Sequence, residues 1–397
     1  MASRPVWAEI SLERLRANYR WLSKQAAGAA HLLAVVKADA YGHSLALCAP
    51  AVVEAGAEWL GVTSVEEGIA ARACCPKARI LVISGPWMGQ AEAVVDRKLT
   101  PVVWEKYQLE ELQQVALARG IEVGVHLELD TGMSRQGVNL QNGLDNLDEI
   151  LKYFHKKSPL RLNGLMTHFS APEDIASPET GRQLGLLGEA VAVVAEHGLK
   201  PEWLHAGSSA TLLRAHHLAP LGALAAELGA KLMLRPGLAL YGLLPRFSPE
   251  EPARNVNLAE AQKNLRPVMS WKTRIVGLRT IPAGAGAGYN STFTAQRETT
   301  LALLPLGYAD GLRRGLSGQF SLLVRGRLAP LAGRISMDQT LLDVTEIPAV
   351  GIGDEVVLIG EQGGKELTAY DHADPIGAIP WEIPCGISAR VPRLTVS

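Results

Sequence analysis

The sequence predicts an α/β barrel joined to a β domain. An N-terminal (β/α)8 barrel is expected over residues 1–244, and a C-terminal, mainly antiparallel β domain over residues 245–397. Two observations carry that expectation. Eight short, nearly continuous apolar runs fall at 32–37, 59–63, 79–83, 101–103, 121–129, 161–167, 202–206 and 232–236, with helix-like stretches between them. Runs of this kind suit parallel strands buried on both faces, and regular strand–helix alternation points to a closed barrel. The count by itself leaves an open, doubly wound sheet as the alternative. The second observation is a change of pattern after Gly242, where Gly and Pro begin to separate β-like runs.

The helical stretches carry their own signals. SLERLRANYRWLSKQA begins at Ser11, a residue type that caps helix starts. YQLEELQQVALARG ends on Gly120, placed where a helix commonly stops in a left-handed residue. Residues 245–267, rich in Pro, Glu, Asn and Gln, lack clear periodicity and read as a linker. VMSWKTRIVGLRT, TTLALLPLG, FSLLVRGRLAPLAG and DEVVLIG then read as strands of an antiparallel domain.

Composition narrows the function. Lys and Arg total 39 against 40 for Asp and Glu, so there is no basic footprint for nucleic acid or an anionic membrane. No run of 18 apolar residues predicts a membrane span, and the first residues lack the apolar core of a secretory signal. The four cysteines show neither a CxxC pair nor zinc spacing, and the histidines no metal-ligand spacing. A reduced, cytoplasmic setting and no metal are expected.

The chemistry is concentrated in AVVKADAYGH. Lys37 closes an apolar strand, and barrel sites sit at strand C-terminal ends. A partly desolvated amine there favours Schiff-base chemistry. Taken alone, a lysine in this position is more often a surface residue whose stem lies along apolar neighbours.

AVVKADAYGH resembles the cofactor-lysine motif of the alanine racemases, barrel-fold enzymes dependent on pyridoxal 5'-phosphate, and the resemblance recurs in order along nearly the whole chain. It implies that Lys37 bonds the cofactor and that Tyr41 contacts its phosphate. LELDTGMSR resembles the segment ending in the substrate-orienting arginine, here Arg135. MTHFS supplies His168 beside the cofactor ring, and HAGSSAT supplies Ser209 to the phosphate. RPGLALYG implies Arg235 at the pyridine nitrogen, with backbone N–H groups of Gly237 and Leu238 on the phosphate. AGYNSTF carries the second catalytic base, Tyr289, LGYADG carries Tyr308, and GRISMDQ places Met337 in the substrate pocket. The same resemblance implies a small amino-acid substrate, with D-alanine serving peptidoglycan, and a head-to-tail homodimer in which Tyr289 completes the partner's site.

Racemisation removes the Cα proton on one face and returns one on the other, so two acid/base groups are needed; Lys37 and Tyr289 are the candidates. A phenol, with an ordinary pKa of about 10, needs a neighbouring cation to act near neutrality; the resemblance implies His168 linked to Arg235 for that role. Arginine only donates hydrogen bonds, so Arg235 would leave the pyridine nitrogen unprotonated, a weaker electron sink than one paired with a carboxylate. Two positions depart from the family pattern. Glu128 stands where many relatives carry a lysine that is often carbamylated, and a direct carboxylate pairing with Arg135 is expected. Ala389 stands where some relatives have a tyrosine, which leaves a broad-specificity or serine racemase as the alternative. A decarboxylase or aldolase of the same fold would call for a carboxylate in place of Arg235.

Overall fold

A computed structural model describes residues 4–214, 217–247 and 255–396. The chain divides into two compact units, one of residues 14–40 and 45–266, the other of residues 1–13, 41–44 and 267–397. No described helix is long and apolar enough to cross a membrane.

The first strand of the chain, β1 (Val6–Ser11), belongs to the second of these units. The barrel follows with β2 (His31–Val35), β3 (Trp59–Val62), β4 (Arg79–Val82), β5 (Thr100–Val103) and β6 (Val123–Asp130). A two-residue strand β7 (Val138–Asn139) precedes β8 (Leu160–Met166), β9 (Trp203–His205) and β10 (Lys231–Leu234). Neighbouring strands pair in parallel in the order β2, β3, β4, β5, β6, β8, β9, β10, and β10 returns to β2, so the sheet is closed. All eight expected apolar runs are these strands. Their residues are buried on both faces, as in β3 and β4, because side chains inside meet one another and those outside meet the helices. The open-sheet alternative fails because β5 pairs with β6. Gly120 closes its helix in the left-handed conformation, as expected.

The other unit continues with β11 (Met269–Arg274), β12 (Gly277–Ile281), β13 (Gly286–Ala287), β14 (Phe293–Thr294), β15 (Thr299–Leu304), β16 (Ser321–Val324) and β17 (Arg327–Pro330). It ends with β18 (Thr340–Asp343), β19 (Glu355–Gln362), β20 (Lys365–Leu367) and β21 (Arg393–Val396). Its main sheet runs β17-β16-β19-β11-β1-β21 and is antiparallel except for β1 with β21. A second sheet, β12-β15-β18, and the hairpin β13–β14 complete it. Alternating burial in β11 is the period-two signature that identified the domain.

Part of the expected linker is ordered. Residues 248–254 lie outside the described residues. After them Val256–Asn264 forms a helix, with the Asn255 side chain capping the N–H groups of Asn257 and Leu258. Leu258 and Ala261, three apart, are buried; two buried apolar positions in a helix of about two and a half turns were too few to register as periodicity.

Candidate active site

The candidate residues of the barrel unit collect at the C-terminal ends of its strands. Lys37 lies two residues beyond β2, and Glu128 two residues before the end of β6, which leads on to Arg135. His168 follows β8, Ser209 follows β9 and Arg235 follows β10. Chain direction alone produces this: in a parallel barrel every strand delivers its following loop to the same face.

Arg235 is the organising group. It is 5% exposed. Its Nη1 donates to the His205 carbonyl at 2.8 Å and faces His205 Nδ1 at 3.2 Å. Its Nη2 donates to the Thr167 carbonyl at 2.7 Å and faces His168 Nδ1 at 3.2 Å. Beyond it, His205 Nε2 meets His126 Nδ1 at 2.8 Å. Gly164 makes room for that ring, since a Cβ there would sit 2.5 Å from His126 Nδ1.

The donors settle the protonation pattern. Burial, and then the charge of Arg235, lowers His168 to about 3 and His126 to about 3. Burial and His126 carry His205 well below its ordinary value as well. All three rings are therefore neutral near pH 7. A guanidinium cannot accept, so Nδ1 of both His168 and His205 must accept and both carry hydrogen on Nε2. His205 then donates to His126. Burial lowers Arg235 itself to about 10, which leaves it charged. The four contacts use only Nη1 and Nη2; Nε makes none of them.

A phosphate-ester cofactor with a ring nitrogen and an aldehyde fits this donor set. Ser209 is buried, and its Oγ accepts the N–H groups of Gly237 at 3.1 Å and Ala239 at 3.2 Å. A hydroxyl and backbone N–H groups are thus gathered at the start of the 3-10 turn Leu238–Tyr241, the kind of donor cluster that suits a phosphate. The Gly237 N–H expected to face a phosphate is directed at Ser209 here. Arg235 stands ready for an acceptor nitrogen, and Lys37 supplies the amine.

Between Lys37 and Gly42 the backbone does something the sequence did not signal. Ala38, Asp39, Ala40 and Tyr41 all have φ between 51° and 56°, a left-handed turn without a glycine. Each such residue costs roughly 1–2 kcal/mol. The Ala38 N–H donates to the Glu67 carboxylate at 2.6 Å, and the Leu45 N–H to the Asp39 carboxylate at 2.6 Å, which holds the turn. Burial, reinforced by Cys385, pushes the Tyr41 phenol well above its ordinary value.

Glu128 departs from expectation. It is buried, and burial raises its carboxyl to about 7 against the pull of Gln136, Arg235 and Arg135. Its hydrogen bond comes from the Gln136 side chain, which also donates to the Ile83 carbonyl at 3.1 Å. Arg135 is exposed and makes no ion pair with Glu128 among the described residues. Gln136, His126 and His205 are the participants that reading the sequence missed. Gln136 had a usable signal, a polar residue directly following the candidate arginine.

In the other unit, Tyr289 sits on a 3-10 turn at the tip of the β13–β14 hairpin and is 66% exposed. Tyr289 and Met337 line one surface depression of about 1000 Å³, together with Arg334 and Asp338. Tyr308 is exposed, on a turn knit to the same segment: its N–H donates to the Ser336 carbonyl at 3.0 Å and that of Ala309 to the Met337 carbonyl at 3.0 Å. A Cβ on Gly307 would overlap the Ser336 carbonyl, which is why glycine precedes this tyrosine.

Comparison with known proteins decides the family. Residues 10–245 match the model of the alanine racemase N-terminal domain, and residues 268–395 that of the C-terminal domain. The chain belongs to the alanine racemase family. It is 37% identical to the alanine racemase of Halothermothrix orenii over 98% of this chain and 97% of that one. With the alanine racemase of Symbiobacterium thermophilum it shares 38%, over the same fractions of the two chains. Among solved structures, the alanine racemase of Streptomyces coelicolor superposes with a TM-score of 0.86 at 35% identity, covering 99% of this chain and 98% of that one. The biosynthetic alanine racemase of Pseudomonas aeruginosa does so at 0.78 and 30%, over the full length of both. The family's two domain matches fall on the barrel sequence and the β-domain sequence described above.

Proposed function

We propose that this chain interconverts L-alanine and D-alanine with pyridoxal 5'-phosphate as cofactor, in the cytoplasm, supplying D-alanine for peptidoglycan. The observation that carries the reading is Arg235, charged and buried among neutral imidazoles, at the same barrel mouth as Lys37 and Ser209. When bound, the cofactor withdraws electrons from the substrate Cα and so makes its proton labile.

The chain's own residues do the rest. Ser209, Tyr41 and the backbone N–H of Leu238 would hold the phosphate, joined by that of Gly237 once it turns from Ser209. Arg235 would donate to the ring nitrogen, which then would not hold a proton of its own, and that would limit side reactions such as transamination. Lys37 moves a proton at one face of Cα and Tyr289 at the other. His168 carries its hydrogen on Nε2, and that N–H is a donor able to stabilise a phenolate. Arg135 orients the substrate carboxylate by a charge-assisted hydrogen bond, and Met337 bounds the pocket. Because Tyr289 belongs to a different unit from Lys37 and stands exposed, the reading includes a head-to-tail homodimer in which each subunit's Tyr289 serves its partner's Lys37.

The test is direct. Cofactor-loaded protein incubated with L-alanine should yield D-alanine by chiral chromatography, and Lys37→Ala should abolish that conversion. Absence of D-alanine would sink the reading. A broader racemase is favoured by one feature only: Ala389 is exposed and offers a methyl group where a tyrosine could stand. Comparing kcat/KM for alanine, serine and lysine separates the two, since excluding one hydroxyl or methylene is worth about 1–3 kcal/mol in an apolar pocket.

A further inference from the structure

We infer that Gln136 is the positioning residue for Arg135, and that Glu128 acts on Arg135 through Gln136 instead of by an ion pair. The inference rests on the reading of Arg135 as the substrate-orienting arginine.

Arg135 lies in the loop from Asp130 to Val138, and that loop is tied back to its own strand at both ends. At its start the Asp130 carboxylate accepts the N–H groups of Gly132 at 3.0 Å and Ser134 at 2.9 Å. Thr131 Oγ1 meets Thr167 Oγ1 at 2.8 Å. At its end β7 pairs with β6, Leu129 opposite Val138 and Asp130 opposite Asn139. Gly137, with φ +114°, lets the chain pass so close that a Cβ would sit 2.6 Å from the Asp130 nitrogen. Ser134, immediately before Arg135, is left-handed at φ 56° and is held by a Gln141 side-chain donor at 2.9 Å.

Both neighbours of Arg135 are therefore anchored, and Gln136 supplies the anchor next to Arg135 that reaches inward. Its amide nitrogen donates both to the buried Glu128 carboxylate and to the Ile83 carbonyl just beyond β4. One side chain thus spans two strand ends, β4 and β6, and fixes the direction in which the preceding residue leaves the loop. A direct Glu128–Arg135 pair would place the acceptor on the arginine itself and occupy donors that a substrate carboxylate needs. With Gln136 between them, Glu128 sets the position of Arg135 and leaves its guanidinium donors to the substrate.

The test is steady-state kinetics of the cofactor-loaded enzyme in both directions. Gln136→Leu keeps the bulk and loses both donated bonds. It should raise KM for L- and D-alanine on the order of ten-fold while kcat stays within about three-fold, as expected for a lost hydrogen bond to a charged group. Glu128→Leu should do the same. The double variant should be no worse than Gln136→Leu, because that variant already removes the connection to Glu128. Glu128→Gln, which keeps an acceptor for Gln136, should recover most of the loss seen with Glu128→Leu. Gln136→Asn, too short to span both acceptors, should behave as Gln136→Leu does, and serves if the leucine variant does not fold. An unchanged KM in Gln136→Leu or Gln136→Asn overturns the inference. So do additive losses, or an effect of Glu128→Gln as large as that of Glu128→Leu. Arg135→Ala separates the two readings: if it leaves KM unchanged, the substrate-binding role of Arg135 itself fails.

Discussion

At the scale of single residues, the buried imidazoles have a measurable consequence for pH. His126 and His168 titrate at about 3 in the folded chain, against roughly 6.5 when unfolded. As pH falls below that unfolded value, the unfolded chain binds protons that the native chain refuses, so stability is full above about 6.5 and is lost progressively toward about 3. His205 adds to this in the same direction. Glu128 works the other way: raised to about 7, it holds a proton in the native state where the unfolded chain has none. Its contribution therefore declines as pH rises from roughly 4.5 to about 7. Three histidines outweigh one carboxyl, so the denaturant midpoint of the cofactor-free chain should fall between pH 7 and pH 5. His126→Phe should make that slope shallower whatever it does to the midpoint itself; an unchanged slope would contradict the neutral-ring assignment. Family resemblance pointed to His168 as an Arg235 partner, whereas nothing in the sequence linked His205 to Arg235, since that contact joins residues 30 positions apart, or His126 to His205.

At the scale of elements, the left-handed turn after Lys37 is strained, with four consecutive non-glycine residues at positive φ. Ala38 is exposed and its side chain supplies no packing to justify φ 53°. Ala38→Gly should therefore stabilise the chain by about 1 kcal/mol in urea unfolding. Gly42→Ala should cost at least about 2 kcal/mol, since φ is +79° and a Cβ would overlap the Pro384 carbonyl. Equal midpoints for these two variants would mean that the strain is not stored here. The strands themselves were legible: LLAVV and RILV announce buried parallel strands by apolar continuity. The helix Val256–Asn264 was not, because its two buried contacts stand among polar residues that read equally well as a linker.

At the scale of the whole molecule, Lys37 and Tyr289 fall in separate compact units, and the proposed shared site makes a quantitative prediction. Lys37→Ala and Tyr289→Phe should each be inactive or nearly so as homodimers. Mixed, dissociated and reassociated in equal amounts, they should regain about one quarter of native activity, because half the dimers are then mixed and each holds one intact site. No recovery, in a mixture shown by sedimentation to be dimeric, would argue against a site shared in this way.

What the sequence determined by itself was the class of structure and the kinds of chemistry. Apolar runs and their spacing specify strands locally, and a parallel barrel then carries each following residue to one face, so Lys37, His168, Ser209 and Arg235 were placed at one mouth by chain direction. What only the tertiary structure decided was pairing. Glu128 was expected to meet Arg135, seven residues on, and instead holds Gln136. Arg235 was expected to face a ring nitrogen, and it also dictates the tautomers of three histidines. Local periodicity is written in neighbouring residues, whereas a buried hydrogen bond goes to whichever donor the packed strands bring within reach, and that is known only once they are packed.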